Sequence, residues 1–182
     1  MRDDSADAHL TDDALPKAEL AEILEPGLQV VFCGLNPALS ALRDGHNFSN
    51  PNNRFWRVLY LAGFTPRLLR AAEERELLQY RCGITSAVSR ATRSASELKR
   101  SDYLTAASAL ESKVRAFAPA NLAFLGKAAY TAISHRKDVE WGRQPEAFAG
   151  AGAWVLPNPS GLNRAFDLTR LTEHYQAMRE AL

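Results

Sequence analysis

An α/β fold, a three-layer α/β/α sandwich around a central and mainly parallel sheet, is predicted by two features of the sequence. Short apolar runs at Leu28 to Gly34, Ile84 to Val88, Leu122 to Leu125 and Trp154 to Leu156 alternate with longer stretches whose apolar residues recur at helical spacing. That alternation implies strands lying parallel to one another with helices over both faces of the sheet. Two of the runs also break into rigid polar loops, Gly34-Leu35-Asn36-Pro37 and Pro157-Asn158-Pro159-Ser160-Gly161-Leu162-Asn163-Arg164. Ligands of open α/β sheets sit just outside the carboxyl ends of the strands, so the two loops are expected to face one cleft.

The remaining elements follow in order. Residues 1–16 are acidic, small and aperiodic and read as a disordered tail, with residues 17–182 as one folded domain and Ala18 to Leu24 as a short helix before the first strand. Arg43 to Asn53, crowded with Gly, Pro and Asn, reads as a long irregular segment presenting Phe48. Asn53 suits the N-cap of a helix carrying Phe55, Val58, Leu59 and Ala62, closed by Gly63. Pro66 opens a second helix with Leu68, Leu69, Ala72, Leu77 and Leu78 inward, ending before Cys82. Ser89 to Ser101 reads as a loop, Asp102 to Ala118 as an amphipathic helix with Leu104, Leu110, Val114 and Phe117 inward, and Gly126-Lys127 as the turn into a helix through Ile133. Glu146 to Ala149 reads as an edge strand and Leu168 to Leu182 as the closing helix.

A chain of 182 residues, 46% hydrophobic and 24% charged, fits an ordinary single globular domain. No apolar run approaches the roughly 18 residues of a membrane span, and the N-terminus is acidic where a signal peptide is basic and then apolar, so a cytosolic protein is expected. Cys33 and Cys82 are too few for a disulfide framework or an iron–sulfur cluster and read as reduced core thiols. The net charge of +1 conceals a balance of −6 over residues 1–26 and therefore +7 over the rest. A body with that surplus is compatible with a polyanionic partner such as nucleic acid, and equally with a solvated surface.

The residues restrict the chemistry. His9, His46, His135 and His174 lack metal-ligand spacing, no Gly-x-Ser-x-Gly elbow occurs, and neither polar loop holds an Asp or Glu. Asp44 is the nearest carboxylate and reads as a solvated turn residue. A site here must therefore work with amides and backbone dipoles, needing neither metal nor cofactor. An Asn carbonyl can aim a water, although it is a poor base, and that suffices only where the leaving group departs readily as an anion. A uracil anion is such a group, its charge spread over a ring that tight-loop N–H groups can meet. Gly126-Lys127 allows a nucleotide-binding reading, ranked last because the full glycine fingerprint is absent; Lys127 facing one backbone phosphate is the more modest reading.

Taken together, GLNPALS at Gly34 to Ser40, NPNNRFW at Asn50 to Trp56, LGK at Leu125 to Lys127 and VLPNPSGLNR at Val155 to Arg164 resemble, in the same order, the mismatch-specific uracil-DNA glycosylases of the uracil-DNA glycosylase superfamily. The resemblance implies the three-layer fold and removal of a flipped uracil from double-stranded DNA, where it is mispaired with guanine, by a monofunctional glycosylase acting as a monomer. Thymine and etheno-cytosine are further substrates it implies. By that pattern Asn36 orients the attacking water. Gly34, Leu35, Phe48 and Asn158 bind the base, Phe48 by stacking on it. Gly161, Leu162, Asn163 and Arg164 form the wedge, with Leu162 filling the gap left in the duplex.

Competing readings accompany these roles. Phe48 can instead be a lid over the core, Asn158 a turn residue, Leu162 a core contact and Arg164 a helix-flanking surface charge. The chain also departs from the pattern. Ala38 stands where the family has Gly, Ser89 stands where an acid precedes Arg-x-Thr, and Asn163 stands where the bacterial branch has Ser. The Ala38 and Ser89 departures motivate an alternative function, a protein that binds lesions or mismatches without cutting.

Overall fold

The computed structural model describes residues 20–93 and 95–182. The expected acidic tail and the start of the helix expected at Ala18 to Leu24 lie outside that range. The strands are β1 (Val30–Gly34), β2 (Cys82–Ser86), β3 (Asn121–Leu125), β4 (Gly142–Arg143) and β5 (Gly152–Leu156). The helices are α1 (Leu39–Asp44), α2 (Phe55–Leu61), α3 (Arg100–Phe117), α4 (Lys127–Ser134) and α5 (Leu168–Ala181), with 3-10 turns at Ala71–Tyr80 and Ala95–Glu97. The sheet runs β2-β1-β3-β5-β4, and every pair is parallel except β4 with β5.

Side chains of the central strands alternate between two apolar layers, as the pleat requires. Val30 and Phe32 of β1, Ala123 and Leu125 of β3, and Trp154 and Leu156 of β5 meet Phe55, Leu59, Leu171 and Tyr175 on one face. Val31, Cys33, Leu122, Phe124, Ala153 and Val155 meet Leu110, Val114, Tyr130 and Ile133 on the other. This is the predicted three-layer architecture, with α2 and α5 on one side and α3 and α4 on the other. Burying each of the large side chains contributes about 1.5–3 kcal/mol. Both cysteines are buried and free, and burial pushes the thiol of each up to about 12.

Several elements differ from the expectations. Over Leu20 to Leu24 the chain is extended rather than helical, and Ile23 exchanges both backbone hydrogen bonds with Ile84 at 3.0 and 2.9 Å. This bridge covers the outer edge of β2, and the opposite edge is guarded by a strand of only two residues. β2 itself begins two residues earlier than predicted. Ala87 and Val88 then leave the sheet while donating to the carbonyls of Gly34 and Leu35.

A short helix, α1, forms at the start of the segment expected to be irregular, and Gly45 at φ 74° ends it. Asn53 does cap α2, though from one residue further out than an N-cap, its carbonyl accepting from Phe55 N–H at 2.9 Å. The helix expected from Pro66 starts only at Ala71 and winds as 3-10 turns, because Thr65 Oγ1 donates to the Arg67 carbonyl and holds a turn there. Leu68 is accordingly exposed. α3 begins at Arg100, where the Asp102 carboxylate accepts from Lys99 N–H at 2.7 Å, and Leu104 points outward with Tyr103 and Ala106 packed instead. Arg90 beside Asp102 holds that carboxyl below its usual range. The edge strand expected at Glu146 to Ala149 is replaced by β4. Ala149 and Gly150, at φ 51° and 96°, instead form a tight turn closed by paired hydrogen bonds between Phe148 and Ala151.

Gly83 sits where the Ile23 segment presses on β2, and a Cβ there would lie 2.5 Å from the Ile23 carbonyl oxygen and 2.6 Å from Leu28 Cδ1. Gly83→Ala is therefore expected to lower the unfolding free energy by about 1–3 kcal/mol in urea titration. An unchanged midpoint would show that the bridge yields freely.

Candidate active site

β1 ends at Gly34, and the chain turns through Leu35-Asn36-Pro37 into α1. Asn36 is fixed by its amide nitrogen, which donates to Thr92 Oγ1 at 2.7 Å, to the Arg90 carbonyl at 3.0 Å and to the Pro37 carbonyl at 3.3 Å. All three partners are acceptors, so the amide can point only one way. Its Oδ1 meets no donor among the described residues. The segment supplying two of these acceptors is itself tied to the loop, since Thr92 N–H donates to the Pro37 carbonyl and Leu39 N–H to the Thr92 carbonyl. Thr92 is buried, and the sequence singled out its segment without assigning it this task.

The second loop leaves β5 and returns toward the first. Asn158 Oδ1 accepts from Ser160 N–H at 2.9 Å, the Asx turn that the sequence allowed, and Asn158 Nδ2 has no acceptor among the described residues. Asn163 Nδ2 donates to the Asn158 carbonyl. The whole turn hangs on Arg54, whose guanidinium donates to the carbonyls of Pro159, Ser160, Asn163 and Phe166 at 2.6–3.2 Å. Tyr175, buried in the core, donates its hydroxyl to the Pro157 carbonyl, and burial pushes its phenol well above the ordinary range. At Gly161 this turn meets the segment ahead of α2 so closely that a Cβ would lie 2.6 Å from the Asn52 carbonyl oxygen. Arg54 was quoted within a motif, but its clamp on a loop more than a hundred residues away could not be read from spacing.

Asn36 and Asn158 share a cavity of about 190 Å³, together with Gly34, Leu35, Asn47 and Phe48. They also line an adjoining open groove of about 990 Å³ that reaches Gly161, Leu162 and Asn163. Neither lining contains an Asp or Glu among the described residues, and Arg54 and Arg93 lie on the groove. Asp44 stays outside. It pairs with Arg43 at 2.8 Å and accepts from Ser49, contacts that hold its carboxyl below the ordinary range.

Phe48 lines the cavity while its ring stacks on Phe55, with centroids 4.0 Å apart and planes 24° from parallel. Its φ of 54° is left-handed, which costs a side-chain-bearing residue about 1–3 kcal/mol unless neighbours impose it. The neighbours here are Asn47 and the buried carboxylate of Glu74. Glu74 was missed, although its spacing from Leu77 and Leu78 puts a carboxylate on an apolar stripe. Leu162 is 90% exposed, which excludes a core contact, and Arg164 is exposed beside it. Lys127 lies on neither lining. Its ammonium sits 4.8 Å from the centre of the Trp141 ring.

Comparison with known proteins bears on the fold and the family. A protein from Methanosarcina acetivorans, solved by NMR and provisionally named a uracil DNA glycosylase, superposes with a TM-score of 0.60 at 19% identity over 90% of this chain and 97% of its own. At that identity the likeness is one of fold. The profile of the Uracil DNA glycosylase superfamily matches residues 22–182, from the Ile23 bridge region through α5. The chain belongs to the uracil DNA glycosylase superfamily.

Proposed function

We propose that this protein is a monofunctional DNA glycosylase that hydrolyses the N-glycosidic bond of uracil mispaired with guanine in double-stranded DNA. The meeting of Asn36, Phe48 and Asn158 in one cavity lined without a carboxylate is the observation that carries this reading. Thymine and etheno-cytosine opposite guanine belong to the same proposal as slower or alternative substrates.

In this reading the uracil nucleotide swings out of the duplex and its base enters the cavity against Phe48. Asn36 Oδ1 accepts a hydrogen bond from a water and holds its oxygen toward C1′ of the deoxyribose. The C1′–N1 bond breaks as the water oxygen bonds to C1′, and the electron pair leaves on N1 of the uracil anion. The water proton passes to solvent or to the departing base. Asn158, on the same cavity lining with its Nδ2 unpartnered among the described residues, supplies a donor to the base, while backbone N–H groups of the Gly34 loop meet its charge. Leu162, held out on the Arg54-clamped turn, fills the vacated stack and offsets part of the few kcal/mol that flipping costs. Lys127, outside both linings with its ammonium over Trp141, would meet a backbone phosphate only beyond the groove, and Asn163 with Arg164 would face the widowed guanine.

Release of free uracil from a U:G duplex under single-turnover conditions tests the reading. Asn36→Ala is expected to slow that release by about 100-fold or more, because the water is no longer positioned, and to lower the melting temperature modestly, because the Thr92, Arg90 and Pro37 acceptors lose their donor. Base release as fast as the parent's would sink the water-holding role. If instead the parent protects a U:G site and leaves no abasic site in enzyme excess, the binding-only alternative motivated by Ala38 and Ser89 gains.

Leu162→Ala should lower kcat/KM on duplex by about tenfold and leave stability untouched, given the exposure of that side chain. Equal losses on single-stranded uracil DNA, which has no stack to fill, would argue against a wedge.

A further inference from the structure

Among the described residues Glu74 is the one buried carboxylate near the cavity, and the mechanism above leaves it unused. It projects from the 3-10 turns of Ala71–Tyr80 and is 5% exposed. Its Oε2 accepts from Asn47 N–H at 2.8 Å and from Asn47 Nδ2 at 2.9 Å, and its Oε1 lies 3.2 Å from His46 Nδ1. Asn47 is also held from two other sides, by its Nδ2 on the Ala21 carbonyl and by Trp56 Nε1 on its own carbonyl. The next residue is Phe48, left-handed at φ 54°.

We propose that Glu74 is the positioning residue for the aromatic wall of the base cavity: by gripping His46 and Asn47 it imposes the strained backbone that keeps Phe48 stacked on Phe55 and turned to the base. This deepens the glycosylase reading and rests on it. Glu74 does not itself line the cavity and acts through His46 and Asn47. An ionised carboxylate suits the task because it accepts only, and all three groups around it can donate. His46 closes the network from the other side, its Nδ1 against Glu74 Oε1.

The experiment compares the parent, Glu74→Ala and Glu74→Gln in three assays: single-turnover uracil release from a U:G duplex, binding to a duplex holding a tetrahydrofuran abasic analogue opposite guanine, and amide exchange at Asn47 and Phe48. In Glu74→Ala the rate should fall about 10- to 100-fold, because the ring and base are misplaced. Binding to the abasic duplex, which brings no base to the wall, should stay within about twofold, and the two amides should exchange faster. Release at the parent rate overturns the proposal. So does loss of rate and abasic-duplex binding in equal proportion, which would make Glu74 general scaffolding.

Glu74→Gln carries the test if the Ala variant fails to fold. Its carbonyl can still accept from Asn47, so the grip on that residue survives although the carboxylate is lost. Release from Glu74→Gln should therefore stay within about threefold of the parent, with the Asn47 and Phe48 amides exchanging as in the parent. A Glu74→Gln that loses release and abasic-duplex binding in equal proportion overturns the proposal. A parent that releases no uracil sinks the glycosylase reading, and this inference with it. A parent that releases uracil alongside a Glu74→Ala of equal rate sinks this inference alone.

Discussion

The orientation of one carboxamide is the constraint on which the rest of the site depends. Asn36 can present its carbonyl oxygen outward because three acceptors, two of them from the segment that follows β2, occupy its nitrogen. An amide free to flip would offer a donor to the water half the time, and the lone pair would then point into protein. Thr92 and the Arg90 carbonyl thus decide the chemistry of a side chain more than fifty residues earlier. They are held in place by the backbone bridge between Ala38 and Thr92, so sheet register and amide orientation form one mechanical unit.

The opposite wall is built on the same plan, with rigidity imported from elsewhere in the chain. Arg54 supplies four hydrogen bonds to carbonyls between Pro159 and Phe166 and so ties down the turn after β5. Charge-assisted donors of this kind are stronger than neutral ones. Arg54 is thereby committed to structure, and Arg93 is left as the groove-lining cation without an ion pair or hydrogen bond among the described residues. Leu162 stands exposed at the end of a turn that cannot sag. The proposed wedge role needs that stiffness, since a flexible loop would relax instead of filling a gap in a stack.

Much of this was legible before any coordinates. Buried parallel strands have to be apolar along their whole length, so β1, β3 and β5 stood out, and the loops after β1 and β5 were marked by Pro and Asn. α2 showed its inward face by spacing alone, and α5 was expected as the closing helix. The errors fell where local signals were weak or were overruled. α1 is too short to show a period, and the Pro66 helix yields to a turn made by the Thr65 hydroxyl. β4 spans two residues that pair only because β5 is there to receive them.

The sequence by itself determined which residues can do chemistry here: amides in rigid loops and no carboxylate within them, in an order that resembles the uracil-DNA glycosylases. Composition and spacing are local properties, and they suffice for that. Only the tertiary structure decided which way Asn36 points, that Asn158 shares its cavity, that Arg54 clamps the second loop, and that Glu74 grips the residues ahead of Phe48. Each of these is a contact between segments distant in the chain, and hydrogen-bond direction across such distances is set by how the layers pack rather than by any pattern along the backbone.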